Sequence, residues 1–169
     1  MIVRNVHERR FRASVGEVGA LLDSLASSSD RLWPRDTWPA MRFDRPLAPG
    51  ASGGHGPIRY TIEEYEPGRL IQFRFTKPEG FDGTHGFVVG AESRKSTVLR
   101  HELVMNTFGK ARFTWPVVFR PLHDALIEDA LDKAARALGE RPALRHWTLQ
   151  VRLLRRIIQG VPRRMRRSH

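Results

Sequence analysis

The sequence predicts an α+β domain in which a curved antiparallel sheet of six to seven strands wraps around one long C-terminal helix, with a further basic helix behind it. Three observations carry this. Arg120 to Leu138 contains no glycine and repeats its apolar residues at helical spacing. From Ile58 to Trp115 apolar and polar side chains alternate with a period of two, broken by short turns. A strand and a capped helix precede that run, so the order is strand, helix, about six strands, long helix.

Val3 to Ala13 interleaves apolar residues with charge, with His7, Arg9 and Phe11 on one parity, as a first strand with one wet face does. Ser14 and Glu17 fit the S-x-x-E capping box, and Val15, Val18, Leu21, Leu22 and Leu25 supply the apolar face of the helix that follows. Gly16 and Gly19 weaken that helix by up to about 1 kcal/mol each relative to alanine, so packing must stabilise it. Arg31 to Pro39 carries Trp33-Pro34 and Trp38-Pro39; residues before proline are pushed towards extended backbone, which predicts an ordered loop anchored by two indoles.

Met41, Phe43, Arg45 and Leu47 predict a short second strand, and Pro49 to Pro57 a glycine-rich turn or flap. That run is neither a G-x-G-x-x-G nor a P-loop and no helix follows it, which argues against phosphate binding. Ile58, Tyr60 and Ile62, then Ile71, Phe73 and Phe75, form a hairpin about Pro67-Gly68. His85, Phe87 and Val89 share the inward parity of the next strand, and Leu99, His101, Leu103 and Met105 that of the one after. Ala111, Phe113 and Trp115 read as a last strand running into the long helix. Turns this short make a meander with one face on the core.

The long helix, begun at about Pro121, has Leu122, Leu126, Ala130, Ala134 and Leu138 on one line and Ile127, Leu131 and Ala135 beside it. Pro121 suits the first turn, Asp124, Glu128, Asp129 and Asp132 favour the N-terminal half, and Gly139 stops it. Beyond it, Leu144, Trp147, Val151, Leu154 and Ile158 recur at steps of three and four among arginines, a basic amphipathic helix ended by Gly160 and Pro162.

The chain therefore divides into a domain of residues 1–139 and a tail of residues 140–169. The tail holds nine arginines against Glu140, a net +8 of the total +11, whereas the body has 20 basic and 17 acidic residues. Any affinity for polyanions must come from the tail. Docking on the domain or on a second copy as a homodimer, and adsorption to an anionic membrane surface, are the favoured uses of that helix. Nucleic acid ranks below them: R-R-M-R-R from Arg163 would bind phosphates without sequence preference, and the body offers no reading head. The absence of cysteine excludes disulfides, thiolate metal sites and a cysteine nucleophile. The N-terminus lacks a continuous apolar h-region and no window approaches a membrane span, so the expectation is a soluble cytoplasmic protein, peripheral at the membrane if the tail adsorbs.

The strand into A-S-V-G-E-V-G-A-L-L-D, the run G-G-H-G-P-I-R-Y-T-I-E-E-Y-E-P-G-R-L-I-Q-F-R-F, the G-T-H-G-F strand and R-P-L-H-D-A-L-I-E-D-A-L-D resemble the SRPBCC superfamily over about residues 3 to 139. This is the START and pollen-allergen-like helix-grip fold that includes polyketide cyclases. The resemblance implies a deep apolar pocket between sheet and helix for a lipid-like or aromatic ligand. Its expected wall is Tyr60, Phe73, Phe75, His85, Phe87, His101, Leu103, Phe113, Trp115, His123 and Ile127.

His85, His101 and His123, with Tyr60, are the candidates for acid-base chemistry, and His55 stands in the glycine-rich loop where a pocket mouth would be. Each of these histidines has a plainer reading as a buried side chain bonded to backbone. The histidines come from separate elements with no H-x-x-x-H or H-x-H spacing, so no metal or other cofactor is expected, and no G-x-S-x-G elbow supplies a serine nucleophile. The expected activity is hydrophobic small-molecule binding, with a cyclase or dehydratase using the pocket histidines, or an adaptor held by its tail, as alternatives.

Overall fold

The computed structural model describes residues 1–93 and 96–160, leaving the run from Arg163 outside the described residues. Seven antiparallel strands form one sheet in the order β1-β7-β6-β5-β4-β3-β2. They are β1 (Ile2–Phe11), β2 (Arg42–Phe43), β3 (Ser52–His55), β4 (Ile58–Glu66), β5 (Leu70–Lys77), β6 (Phe81–Ser93) and β7 (Ser96–Thr107). The chain enters at one edge, crosses to the other by way of α1 (Val15–Asp23) and the tryptophan loop, then returns hairpin by hairpin until β7 pairs with β1.

Period-two patterning sets the faces as expected. Tyr60, Ile62, Ile71, Phe73, His85, Phe87, Leu99, His101, Leu103 and Met105 are all buried on the concave side. Cross-strand ion pairs such as Arg4 with Glu102 and Arg100 with Glu8 cover the wet side. The Ser14 and Glu17 capping box is formed, with Ser14 N donating to Glu17 Oε2 at 2.8 Å and Glu17 N to Ser14 Oγ at 3.3 Å. Gly19 earns its place in α1, because a Cβ there would lie 2.5 Å from Gly68 O in the β4–β5 turn.

Three stretches differ from the sequence reading, the last of them Leu144 to Thr148, which is not helical, so that the tail helix begins only at Leu149. Part of the glycine-rich run is the edge strand β3, paired with β4 and with a β2 reduced to two residues. Gly53 lets these edges close, since a Cβ on it would meet Arg42 O at 2.1 Å.

The second is the segment from Ala111 to Trp115, which is helical. It forms α2 (Ala111–Thr114), a π-helical turn over Trp115–Phe119, and then α3 (Arg120–Ala137) without a break. The turn is wide because Arg120 N–H reaches back five residues to Trp115 O, in a stretch where Pro116 lacks a donor. Its core spacing is four rather than two: Ala111 and Trp115 are buried, whereas Phe113 points to solvent with 76% of its surface exposed.

The tail helix α4 (Leu149–Gly160) lies on the domain. Val151 is buried in the main core, and Arg155 stacks between Trp38 and Trp147, 4.2 and 4.0 Å from their ring centres. Both indoles donate to Asp129 Oδ2, at 2.7 and 3.0 Å. Pro121 has no N–H for Val117 O, and that carbonyl accepts Gln150 Nε2 from α4 at 2.9 Å. The opposite side of α4 presents Leu149, Leu153 and Ile157 to solvent. Among the described residues no helix is long and apolar enough to cross a membrane.

Candidate functional site

A cavity of about 140 Å³ lies between the sheet and the α2–α3 helix. Phe75, Phe81, His85 and Leu103 line it from the sheet, and Trp115, Phe119, Leu122, His123 and Leu126 from the helix. Its mouth is framed by Trp38 and Pro39 from the tryptophan loop, by His55 to Ile58 from the β3–β4 turn, and by Arg155 and Ile158 from α4.

Of the residues expected on the wall, Phe75, His85, Leu103, Trp115 and His123 are there. Tyr60, Phe73, Phe87, His101 and Ile127 are buried just behind it. Phe113 is a correction: its expected place rested on strand parity, and the helix turns it to the outside.

The histidines form a row across the sheet rather than a ring around the cavity. His55 packs on Trp33 with centroids 4.7 Å apart and shares a 3.1 Å hydrogen bond with the Tyr60 hydroxyl. His85 is flanked by Tyr60, Phe73 and Phe75, and its Nδ1 is 3.4 Å from His101 Nε2. His101 packs against Phe87 and then against His123, whose ring centre is 5.0 Å away.

Burial holds all four of these imidazoles in the neutral form: the pKa of His55 falls to about 3, those of His85 and His101 well below the usual value, and that of His123 is also lowered. Burial likewise pushes the Tyr60 phenol up. Among the described residues, His85 Nε2, His101 Nδ1 and both nitrogens of His123 have no hydrogen-bond partner.

The row ends at β1 in His7, which the sequence reading set on one parity with Arg9 and Phe11 without a role. Between the buried apolar Val3 and Phe11, the inward side chains of β1 are the polar Asn5, His7 and Arg9, and they meet the acidic residues of α3 rung by rung. Asn5 Nδ2 donates to Asp124 Oδ1 at 2.8 Å. His7 Nδ1 lies 2.8 Å from Glu128 Oε1 and its Nε2 lies 3.1 Å from Asp124 Oδ1. Arg9 pairs with Glu128 at 2.8 Å and with Asp132.

The zipper closes because two steps along a strand advance about 6.6 Å and four steps along a helix about 6.0 Å. Residues 5, 7 and 9 therefore match 124, 128 and 132. Asp124, expected to serve the helix N-terminus, is instead the hub of this contact. Burial opposes a proton on His7, but the Asp124 and Glu128 carboxylates outweigh it and raise its pKa to about 9. Burial also opposes the charge on Asp124, and the contacts with His123, His7 and Asn5 hold its carboxyl below the usual range.

No protein-family profile and no curated relative matches the sequence. Solved structures do. A solution NMR structure from Thermobifida fusca superposes with a TM-score of 0.63 at 15% identity, covering 84% of this chain and 99% of the other. CalU16 from Micromonospora echinospora gives 0.58 at 16%, over 93% and 83% of the two chains. Norcoclaurine synthase from Thalictrum, solved with a transition-state analogue, gives 0.55 at 12%, over 78% and 96%. At these identities the shared property is the fold.

Proposed function

We propose that this chain, whose helix-grip fold is like that of the SRPBCC superfamily, binds a hydrophobic small molecule in the cavity between the sheet and the long helix. The observation that carries the reading is the cavity itself, walled by Phe75, Phe81, Leu103, Trp115, Phe119, Leu122 and Leu126. Its size narrows the ligand. An apolar cavity of about 150 Å³ holds one benzene ring, so a volume of about 140 Å³ suits a single aromatic ring or a short branched alkyl group. A longer ligand would leave through the mouth between Trp38 and Ile158.

Toluene, phenol and naphthalene titrated into isotope-labelled protein test this. Saturable NMR shifts at Leu103, Trp115 and Leu126 are expected. Leu103→Trp should abolish them, at a cost in stability of about 1–3 kcal/mol from overpacking. Absence of saturable shifts with all three compounds removes the reading.

A second reading, a cyclase- or dehydratase-type acid-base enzyme, is favoured by two neutral imidazoles on the wall, His85 and His123. The two readings separate on single substitutions. In a binding protein His85→Leu and His123→Leu leave ligand affinity within a few fold, whereas an enzyme loses turnover by about a hundredfold or more.

A further inference from the structure

Behind the cavity wall, where β1, β7 and α3 meet, ligand-type atoms of His7, His123 and Asp124 converge. Asp124 Oδ1 lies 3.1 Å from His7 Nε2 and 3.6 Å from His123 Nδ1. One ligand atom from each of the three residues falls within 4.8 Å of the other two. In a tetrahedral site with metal–ligand bonds of 2.0–2.1 Å, neighbouring ligand atoms stand about 3.3 Å apart. The cluster is therefore already near the size of a coordination shell, and small side-chain rotations complete it. Its members come from two elements: His7 from β1, and His123 and Asp124 from successive positions of α3.

Two further observations point to a cation. Both nitrogens of His123 and Asn5 Oδ1 are inaccessible to solvent and have no hydrogen-bond partner among the described residues, and a buried polar atom without a partner calls for a water or an ion. The surroundings also have the form of an outer coordination shell. His7 Nδ1 faces Glu128 Oε1 at 2.8 Å, the carboxylate–histidine pairing that aims Nε2 at a metal, and Asn5 Nδ2 holds Asp124 Oδ1 at 2.8 Å. Arg9 pairs in turn with Glu128.

We propose that His7, His123 and Asp124 form a binding site for a divalent transition-metal ion of the zinc, cobalt or nickel class, with Glu128 and Asn5 as its outer shell. Two imidazoles and one carboxylate select these borderline ions over magnesium or calcium, which prefer all-oxygen shells. On binding, the ion takes the place of the proton between His7 Nε2 and Asp124 Oδ1, and that proton leaves to solvent. Because His123 also lines the cavity, the ion would fix one wall of it; the site itself stands whether or not the cavity is ever filled.

The test is titration of the chelator-treated full chain with Zn2+ by calorimetry and with Co2+ by visible absorption. One equivalent of tight binding is expected, with the d–d bands of a cobalt ion in a nitrogen and oxygen shell. Asp124→Asn, nearly the same shape as the native residue, and His123→Leu should each weaken binding by more than about a hundredfold. Glu128→Gln should weaken it about ten- to a hundredfold, as loss of an outer-shell partner does. His146→Ala, an exposed tail position, should leave the affinity unchanged. Absence of binding at millimolar metal overturns the proposal, as does binding that survives both Asp124→Asn and His123→Leu or is lost with His146→Ala.

Discussion

At the cavity end of the histidine row, His55, His85 and His101 are surrounded by the rings of Trp33, Tyr60, Phe73, Phe75 and Phe87. At the β1 end, His7 sits between two carboxylates. One residue type, on one face of one sheet, is thus neutral in the first place and cationic in the second. Burial acts in the same direction at both ends, against the proton. What differs is whether an acidic side chain lies within hydrogen-bonding distance, and that is decided by α3, which carries Asp124 and Glu128 over β1 and turns an apolar stripe towards the core. The local charge state here is a property of the partner element more than of the histidine.

The largest effect that would sharpen this contrast is acid unfolding. His55, His85 and His101 must stay neutral in the fold but bind protons near pH 6.5 when unfolded. Stability should therefore fall as pH drops below about 6.5, by about 1.4 kcal/mol per pH unit for each group still neutral in the native state. In the double variant His85→Leu/His101→Leu, thermal melts between pH 7 and 4.5 should show a much shallower decline. An unchanged acid slope would break the contrast.

His7 should behave in the opposite sense. With a folded pKa raised to about 9, its contribution is fully present below about 6.5 and disappears as pH rises through 9. In metal-free protein, His7→Leu should cost about 1–3 kcal/mol at pH 7, the penalty of leaving buried partners unpaired. The variant and the native chain should converge above pH 9. Histidine NMR titrations check this directly, with the His7 midpoint expected at about 9 and His55 not titrating above pH 4 or so.

The smallest effect concerns a second cation, Arg155, which is held by indole faces rather than carboxylates. Arg155→Leu should lose about 1 kcal/mol of cation–π and packing energy, lowering Tm by roughly 2–4 °C. The acid and alkaline slopes set by the histidines should not move. A change in either slope would mean that the tail helix is coupled to the row.

How far this could be read beforehand follows the same division. Strand parity alone put Tyr60, Phe73, His85, His101 and Leu103 on the inner face, and glycine-free helical spacing put Leu126, Ile127 and Ala130 against them, because one buried face leaves a periodic trace. Ala111 to Trp115 misled, since its few residues alternate with period two and Pro116 argues against a helix. The signal that would have corrected it is the four-residue step from Ala111 to Trp115 to Phe119.

The polar rungs were legible only as a pair. Asn5, His7 and Arg9 at steps of two look like a wet strand face, and Asp124, Glu128 and Asp132 at steps of four look like a solvated helix face, until the two are laid together. Of the cavity mouth, only the glycine-rich turn with His55 was legible. Trp38, Pro39, Arg155 and Ile158 meet there through the path of a loop and a tail, which no local period records.

The rung spacing also constrains how this chain can vary. Strand and helix repeats differ by about 0.6 Å per rung, so three rungs tolerate the drift and a fourth would begin to miss; at the next strand position, Phe11 is already apolar and buried. Within the three rungs the tolerance to length change is nil. A single inserted residue between Asn5 and Arg9 would rotate the strand by one face and offer Val6, Glu8 and Arg10 to the helix, and one between Asp124 and Asp132 would swing an acid away by about 100°. These two short segments can drift in composition while their lengths stay fixed, a signature that comparison of related chains could look for without knowing what any of them binds.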